Sequence, residues 1–232
     1  MVAIADKVVV VTGGRRGLGA ALVDESLARG AQKVYSTART AYTDDRSSVV
    51  AHQLDVQKPH TIAALARAAT DAQIVFNNAG IFLPQPLLAG DFDHVRETFD
   101  VNVFGPLRIT RAFAPILANN GGGAIVNMLS VMSWLAGGGA YGASKAAAWS
   151  LTNSLRIELQ SQGTHVLGVH AAFIDTDMAS GIPLDKLSPA DVARQIVDGL
   201  EADAEEVLTD QMTVAAKAAL SGPVDGLTLT LG

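Results

Sequence analysis

The chain has 232 residues, 49% of them hydrophobic and 17% charged, with 17 Lys+Arg against 23 Asp+Glu and no cysteine. That length fits one large domain over 1–232 with a substantial core, and the missing cysteine excludes disulfides, thiolate nucleophiles and cysteine-held metal clusters. A net charge of -6 offers no broad basic surface for nucleic acid, and without an apolar run of about 18 residues or a leader-like start the sequence reads as a soluble, cytoplasmic protein.

In chain order, the first apolar run is Val8–Val11, β-branched throughout as in a strand covered on both faces. It empties into Thr12-Gly13-Gly14-Arg15-Arg16-Gly17-Leu18-Gly19, and a helix is predicted over 18–28, closed by Gly30. Further strands are predicted at 33–37, 49–54, 74–76, 124–128, 165–170 and 206–208, separated by helices over 59–69, 92–119, 140–162, 189–202 and 212–220. Ser188 followed by Pro189 is a helix start signal. Strands alternating with helices predict a single-domain α/β, Rossmann-like doubly wound fold. Its mainly parallel seven-stranded sheet would carry helices on both faces. The triplets Gly121-Gly122-Gly123 and Gly137-Gly138-Gly139 read as loops flanking a strand, not as linkers.

A glycine-rich turn after a first parallel strand lets backbone approach a pyrophosphate, whose charge suits the free N–H groups of the following helix. Gly13, Gly17 and Gly19 supply such a turn, although their spacing is G-x-x-x-G-x-G and the signal alone is weak. Asn77-Asn78-Ala79-Gly80 directly follows the fourth strand, and Tyr141-Gly142-Ala143-Ser144-Lys145 follows a strand leading to Ser130. In that order, with Asn102 between them, these motifs resemble the short-chain dehydrogenase/reductase family along essentially the whole chain.

The resemblance implies an NADP-dependent oxidoreductase that reduces a ketone or aldehyde to an alcohol, or the reverse. Reducing a carbonyl needs a hydride and a proton. Tyr141 would be the proton donor, with Lys145 one helical turn away to favour phenolate and to hold the nicotinamide ribose. Ser130 would polarise the carbonyl, and Asn102 would hold a water in a proton relay. Ser130 precedes Tyr141 by two residues fewer than the family's usual spacing, which leaves Ser133 as a competitor. Ala171-Ala172 stands where the family commonly has Pro-Gly, while Ile174 and Thr176 match positions that hold the nicotinamide. The remaining cofactor positions carried over are Arg15, Leu18, Asp55, Val56, Asn78, Ala79 and Gly80.

Cofactor choice turns on the adenosine ribose. Ala38 occupies the position that is acidic in NAD-using relatives, and Arg16 and Arg39 can meet a 2′-phosphate, so NADP(H) is favoured over NAD. No histidine spacing suits a metal, and Asp175 and Asp177 read as loop caps, so no metal is assigned. Phe82, Leu83, Met132, Trp134, Leu135, Phe173 and Met178 are candidate walls for a small, uncharged, rather hydrophobic substrate. The family usually packs its asparagine and tyrosine helices against symmetry mates, and Ala146, Ala147, Ala148, Trp149 and Leu151 would serve a homodimer or homotetramer. The alternatives are an NAD-dependent alcohol dehydrogenase and a non-catalytic NADP-binding regulator, the latter disfavoured by the complete Asn102, Ser130, Tyr141 and Lys145 set.

Overall fold

In β1 (Val8–Val11) every residue is buried, because successive side chains leave the strand on opposite faces and both faces are covered. Val9 and Val11 enter one apolar layer with Leu18, Leu22, Val192 and Ile196, and Val8 and Val10 enter another with Ile62, Leu65, Ile109 and Phe113. The computed structural model describes residues 2–229. Its other strands are β2 (Lys33–Ala38), β3 (Val49–Gln53), β4 (Ile74–Asn77), β5 (Gly123–Met128), β6 (Thr164–His170) and β7 (Glu206–Leu208). All neighbours in the sheet pair in parallel, in the order β3-β2-β1-β4-β5-β6-β7. The order reverses between β1 and β4, which opens a crevice at the carboxyl ends of those strands.

The helices are α1 (Gly17–Ala28), α2 (Pro59–Ala68), α3 (Phe92–Phe99), α4 (Gly105–Asn119), α5 (Gly139–Gln160), α6 (Pro189–Glu201) and α7 (Gln211–Ala218). The one long helix expected over 92–119 is interrupted. A π-helical stretch, Asp100–Phe104, separates α3 from α4 and carries Asn102. Where α4 begins, Gly105 passes Val56 so closely that a Cβ would lie 2.8 Å from its Cγ2. Among the described residues no helix is long and apolar enough to cross a membrane.

Candidate active site

The crevice is closed at its base by Thr12, whose hydroxyl donates to Phe76 O and accepts from the backbone N–H of Asn78 (2.9 Å) and Ala79 (3.0 Å). The Asn78 amide donates to Thr12 O and Gly13 O, tying the turn after β1 to the turn after β4. Gly13 and Gly17 have φ of +69° and +55°, a backbone region that favours glycine. A Cβ on Gly19 would overlap the Gly13 carbonyl, so this helix start can approach the turn only as glycine. Leu18 buries its side chain in the core and can offer a ligand only backbone. Gly14 lies over Ser36, and Gly13 N donates to Thr37 Oγ1 (3.2 Å). Thr12 heads the glycine motif read in the sequence, whereas Ser36 and Thr37 were given no role there; the pairing of β1 with β2 is the signal that would have found these two.

At the adenosine end, Arg39 is exposed and Ala38 puts no carboxylate beside it. The arginine that reaches this corner is Arg15, which donates to Thr40 Oγ1 (3.3 Å) and lies over the Tyr42 ring. Arg16, expected to join Arg39, instead pairs with Asp177 at 2.9 Å, with both side chains about three quarters exposed. Asp55 accepts from Gln57 N through Oδ1 and so forms a local turn, and Val56 beside it is buried.

The four residues expected to carry the chemistry converge. Asn102 is clamped to the backbone of Ile81, accepting from its N–H (2.9 Å) and donating to its carbonyl (3.0 Å), and it also donates to Ser144 Oγ (3.1 Å). Gly80 leaves room at this junction, since a Cβ there would be 3.2 Å from Asn102 Oδ1 and 4.0 Å from Lys145 Nζ. Lys145 is buried, donates to Met128 O (2.7 Å) and places its ammonium 5.6 Å from the centre of the Tyr141 ring. Burial pushes Lys145 down to about 8. Burial also raises Tyr141 above the ordinary phenol value, and a hydrogen bond with the Ser130 hydroxyl offsets part of that rise. Ser130 caps the short 3-10 turn Val131–Ser133, its Oγ accepting from Met132 N (3.1 Å). Ser133, the competitor, is buried and its Oγ has no hydrogen-bond partner among the described residues.

After β6, Ala171-Ala172 makes the turn without Pro-Gly. Val131 N donates to Ala171 O, and Asp210, the cap of α7, accepts from Ala172 N (2.9 Å). Ile174 bridges Leu187, while Thr176 packs 3.1 Å from where a Gly17 Cβ would stand. Phe82 meets Tyr141 edge-on at 5.2 Å, as a wall would. Trp134 is a correction: it is buried in a cluster with Val131, Met132 and Ala216, stacked on His170 at 3.9 Å, because α7 covers it from outside. Trp149, partly buried, packs against the same cluster and donates to Glu206. Exposed apolar side chains lie instead at Phe92, Phe104 and Ile157, and a cavity of about 620 Å³ is lined by Phe92, Val95, Phe99, Phe104 and their polar neighbours. Among the described residues no group of three or more His, Asp or Glu side chains is placed so that it could hold a metal ion.

Comparison with known proteins matches residues 7–186 to the family model described as short chain dehydrogenase. An uncharacterised oxidoreductase of Staphylococcus saprophyticus is 30% identical over 220 residues, covering 87% of this chain and 94% of that protein. A crystal structure of a short chain dehydrogenase from Burkholderia cenocepacia in complex with NADP is 35% identical, with a TM-score of 0.91 over 97% of this chain and 96% of that one. A short chain dehydrogenase/reductase from Burkholderia phymatum in complex with NAD is 27% identical, with a TM-score of 0.81 over 93% of this chain and 92% of that one.

Proposed function

Because this chain belongs to the short-chain dehydrogenase/reductase family, we propose that it is an NADP(H)-dependent enzyme reducing a ketone or aldehyde, or oxidising the corresponding alcohol. The observation that carries this reading is the buried Lys145 ammonium 5.6 Å from the centre of the Tyr141 ring, with the Ser130 side chain opposing the rise that burial imposes on that phenol. The residues present fit a dinucleotide. Gly13, Gly17 and Gly19 form a cradle that side chains would fill, at the amino end of α1, and Arg15 and Arg39 stand at the corner where a 2′-phosphate would lie. Leu18, Asp55, Val56, Asn78, Ala79, Gly80, Ile174 and Thr176 complete the proposed contacts.

Bound nicotinamide supplies the hydride. The chain supplies the proton: Tyr141 donates its hydroxyl hydrogen to the carbonyl oxygen as charge grows there, and the Ser130 hydroxyl donates a hydrogen bond to the same oxygen. Lys145, still largely an ammonium at neutral pH, favours the phenolate left behind, and Asn102 fixes the strand end and the water path by which the proton returns. Phe82, Leu83, Leu135, Phe173 and Met178 offer an apolar surround, which suits a small uncharged substrate. The exposed Phe92, Phe104 and Ile157 suit a homodimer or homotetramer, and one catalytic domain acting in the cytoplasm completes the reading. A screen of carbonyl compounds with NADPH tests it: Tyr141→Phe should cost at least about 10²-fold in turnover with nucleotide binding kept, and full activity in that variant would sink the assignment. NAD use is the second reading, favoured by the ion pair that draws Arg16 toward Asp177.

A further inference from the structure

The last residue of β6, His170, is fully buried and has no part in the proton path described above. Its Nδ1 is 3.0 Å from the carbonyl oxygen of Ser130. A carbonyl only accepts, so Nδ1 carries the hydrogen and Nε2 keeps a lone pair. The ring cannot swing: it stacks on Trp134 with an interplanar angle of 18°, and Trp149 meets it edge-on at 6.4 Å. Thr209 fixes its backbone by donating to His170 O from both N (3.1 Å) and Oγ1 (3.3 Å). Nε2 has no hydrogen-bond partner among the described residues and faces Glu206 Oε1 at 3.7 Å. Glu206 is itself engaged by Trp149 Nε1 and by the Lys217 ammonium, which lies over the Trp134 ring.

Ser130 stands just beyond the end of β5 in an extended conformation, φ -163° and ψ 159°. Its carbonyl also accepts from Ser133 N at 3.0 Å. Its Oγ accepts from Met132 N (3.1 Å) and donates to Ala171 O (3.5 Å), and a side-chain bond from His170 restrains its carbonyl. We propose that His170 is a positioning residue: its Nδ1–H, held rigid between Trp134 and β7, sets the orientation of the Ser130 peptide and so aims the Ser130 hydroxyl at Tyr141 and the substrate oxygen. This rests on the reading of Ser130 given above. A histidine kept neutral by burial, pushed down to about 4, holds this donor in one tautomer across the physiological range.

The competing account is that His170 merely fills space. His170→Phe keeps a flat ring against Trp134 and removes the donor, while His170→Asn shrinks the ring but can place an amide N–H where Nδ1 was. Two readouts separate the accounts: steady-state reduction of benzaldehyde by NADPH, and ionisation of Tyr141 by phenolate absorbance in a Tyr35→Phe/Tyr42→Phe background, which leaves one of the three tyrosines. The second needs no substrate. His170→Phe should lower kcat on the order of tenfold at unchanged NADPH affinity, as expected for a misaimed group. It should also raise the Tyr141 pKa, because the Ser130 bond that lowers it is lost. His170→Asn should recover most of both effects. Normal kcat and an unmoved tyrosine titration in His170→Phe overturn the proposal, and so does His170→Asn as impaired as His170→Phe. Should His170→Phe not fold, His170→Leu takes its place in that comparison. Ser130→Ala at full activity would sink the reading of the site itself, whereas an impaired Ser130→Ala beside a normal His170→Phe sinks only the positioning role.

Discussion

The choice between NADP and NAD can be worked from four side chains. Among the described residues Arg15 and Arg39 pair with no carboxylate at the end of β2, and Arg16 is held by Asp177. A well-formed hydrogen bond to a charged group contributes roughly 1.5 to 3 kcal/mol. Both arginines lie in water, where ion pairs are worth about 1 kcal/mol or less, so about 1 kcal/mol each is the sounder figure. Together they give about 2 kcal/mol, a preference for NADPH over NADH of about 30-fold in kcat/KM. Replacing both with glutamine should erase it, and Ala38→Asp should invert it by repelling the phosphate. Asp177→Asn acts in the opposite sense. The Arg16–Asp177 pair is itself exposed, so breaking it costs little stability and frees a third cation, raising the preference by about fivefold. The assay is the ratio of kcat/KM for the two cofactors at low and high salt, with the preference shrinking as salt screens the charges. A ratio at or below one in the unmodified protein would refute the assignment of Arg15 and Arg39, and no rise in Asp177→Asn would refute the competition for Arg16.

Three further outcomes are expected. Burial holds Lys145 at about 8 against the ordinary 10.5, so its ammonium is lost as pH rises through about 8, and carbonyl reduction should fall over that interval; a rate that stays flat up to 10.5 contradicts this. His170 is pushed from 6.5 down to about 4, so the unfolded chain takes up a proton that the folded one refuses. Its contribution is therefore full above about 6.5 and lost as pH falls toward about 4, by at most about 3 kcal/mol, and thermal melts of His170→Asn should lack that part of the slope. Gly19→Ala would drive its Cβ into the Gly13 carbonyl and to 2.7 Å from Asn78 Nδ2, and should lower stability by about 1 to 3 kcal/mol and weaken NADPH binding; wild-type melting and affinity would show that the turn can yield.

What was legible in the sequence was whatever a local pattern dictates. Strand-length apolar runs set between helical segments marked all seven strands, most plainly β1, which is covered on both faces, and Ser188-Pro189 placed the start of α6. The break at Asp100–Phe104 was passed over because the apolar residues Val95, Phe99, Val101 and Val103 continue through it and a π turn shifts the helical phase without changing composition, although Gly105-Pro106 directly after it marks the start of α4. Trp134 looked like a pocket wall because it lies in a loop beside a motif. Only the arrival of α7 from far along the chain buries it. The same distance hid Asp210, whose carboxylate reaches back across the sheet end to Ala172, and the diversion of Arg16 to Asp177. Long-range pairing of polar side chains leaves no periodic trace in a single sequence.

The two departures from the family pattern are answered by the parts of the chain that sequence reasoning could not place. The loop between Ser130 and Tyr141 can be short because Gly137 and Gly139 take φ of +102° and +54°, so the chain turns within three residues and α5 begins at Gly139 itself. A Cβ on Gly138 would stand 3.0 Å from Gly142 and 2.8 Å from Met132 Cε, so the turn can lie flat on the helix only without a side chain. The stretch is held from outside by Ala136, which donates to Leu227 O and accepts from Leu229 N, near the far end of the described chain. At the other departure, Ala171-Ala172 lacks the fixed φ of proline, and two bonds substitute for it: Val131 N to Ala171 O and Ala172 N to Asp210. The first of these joins the turn to the residue after Ser130, so rigidity at Ala171-Ala172 is transmitted to the serine. Local stiffness encoded by residue type has thus been replaced by stiffness encoded by contact, and Ser130 can stay in place beside a loop two residues shorter because its anchors lie outside the loop.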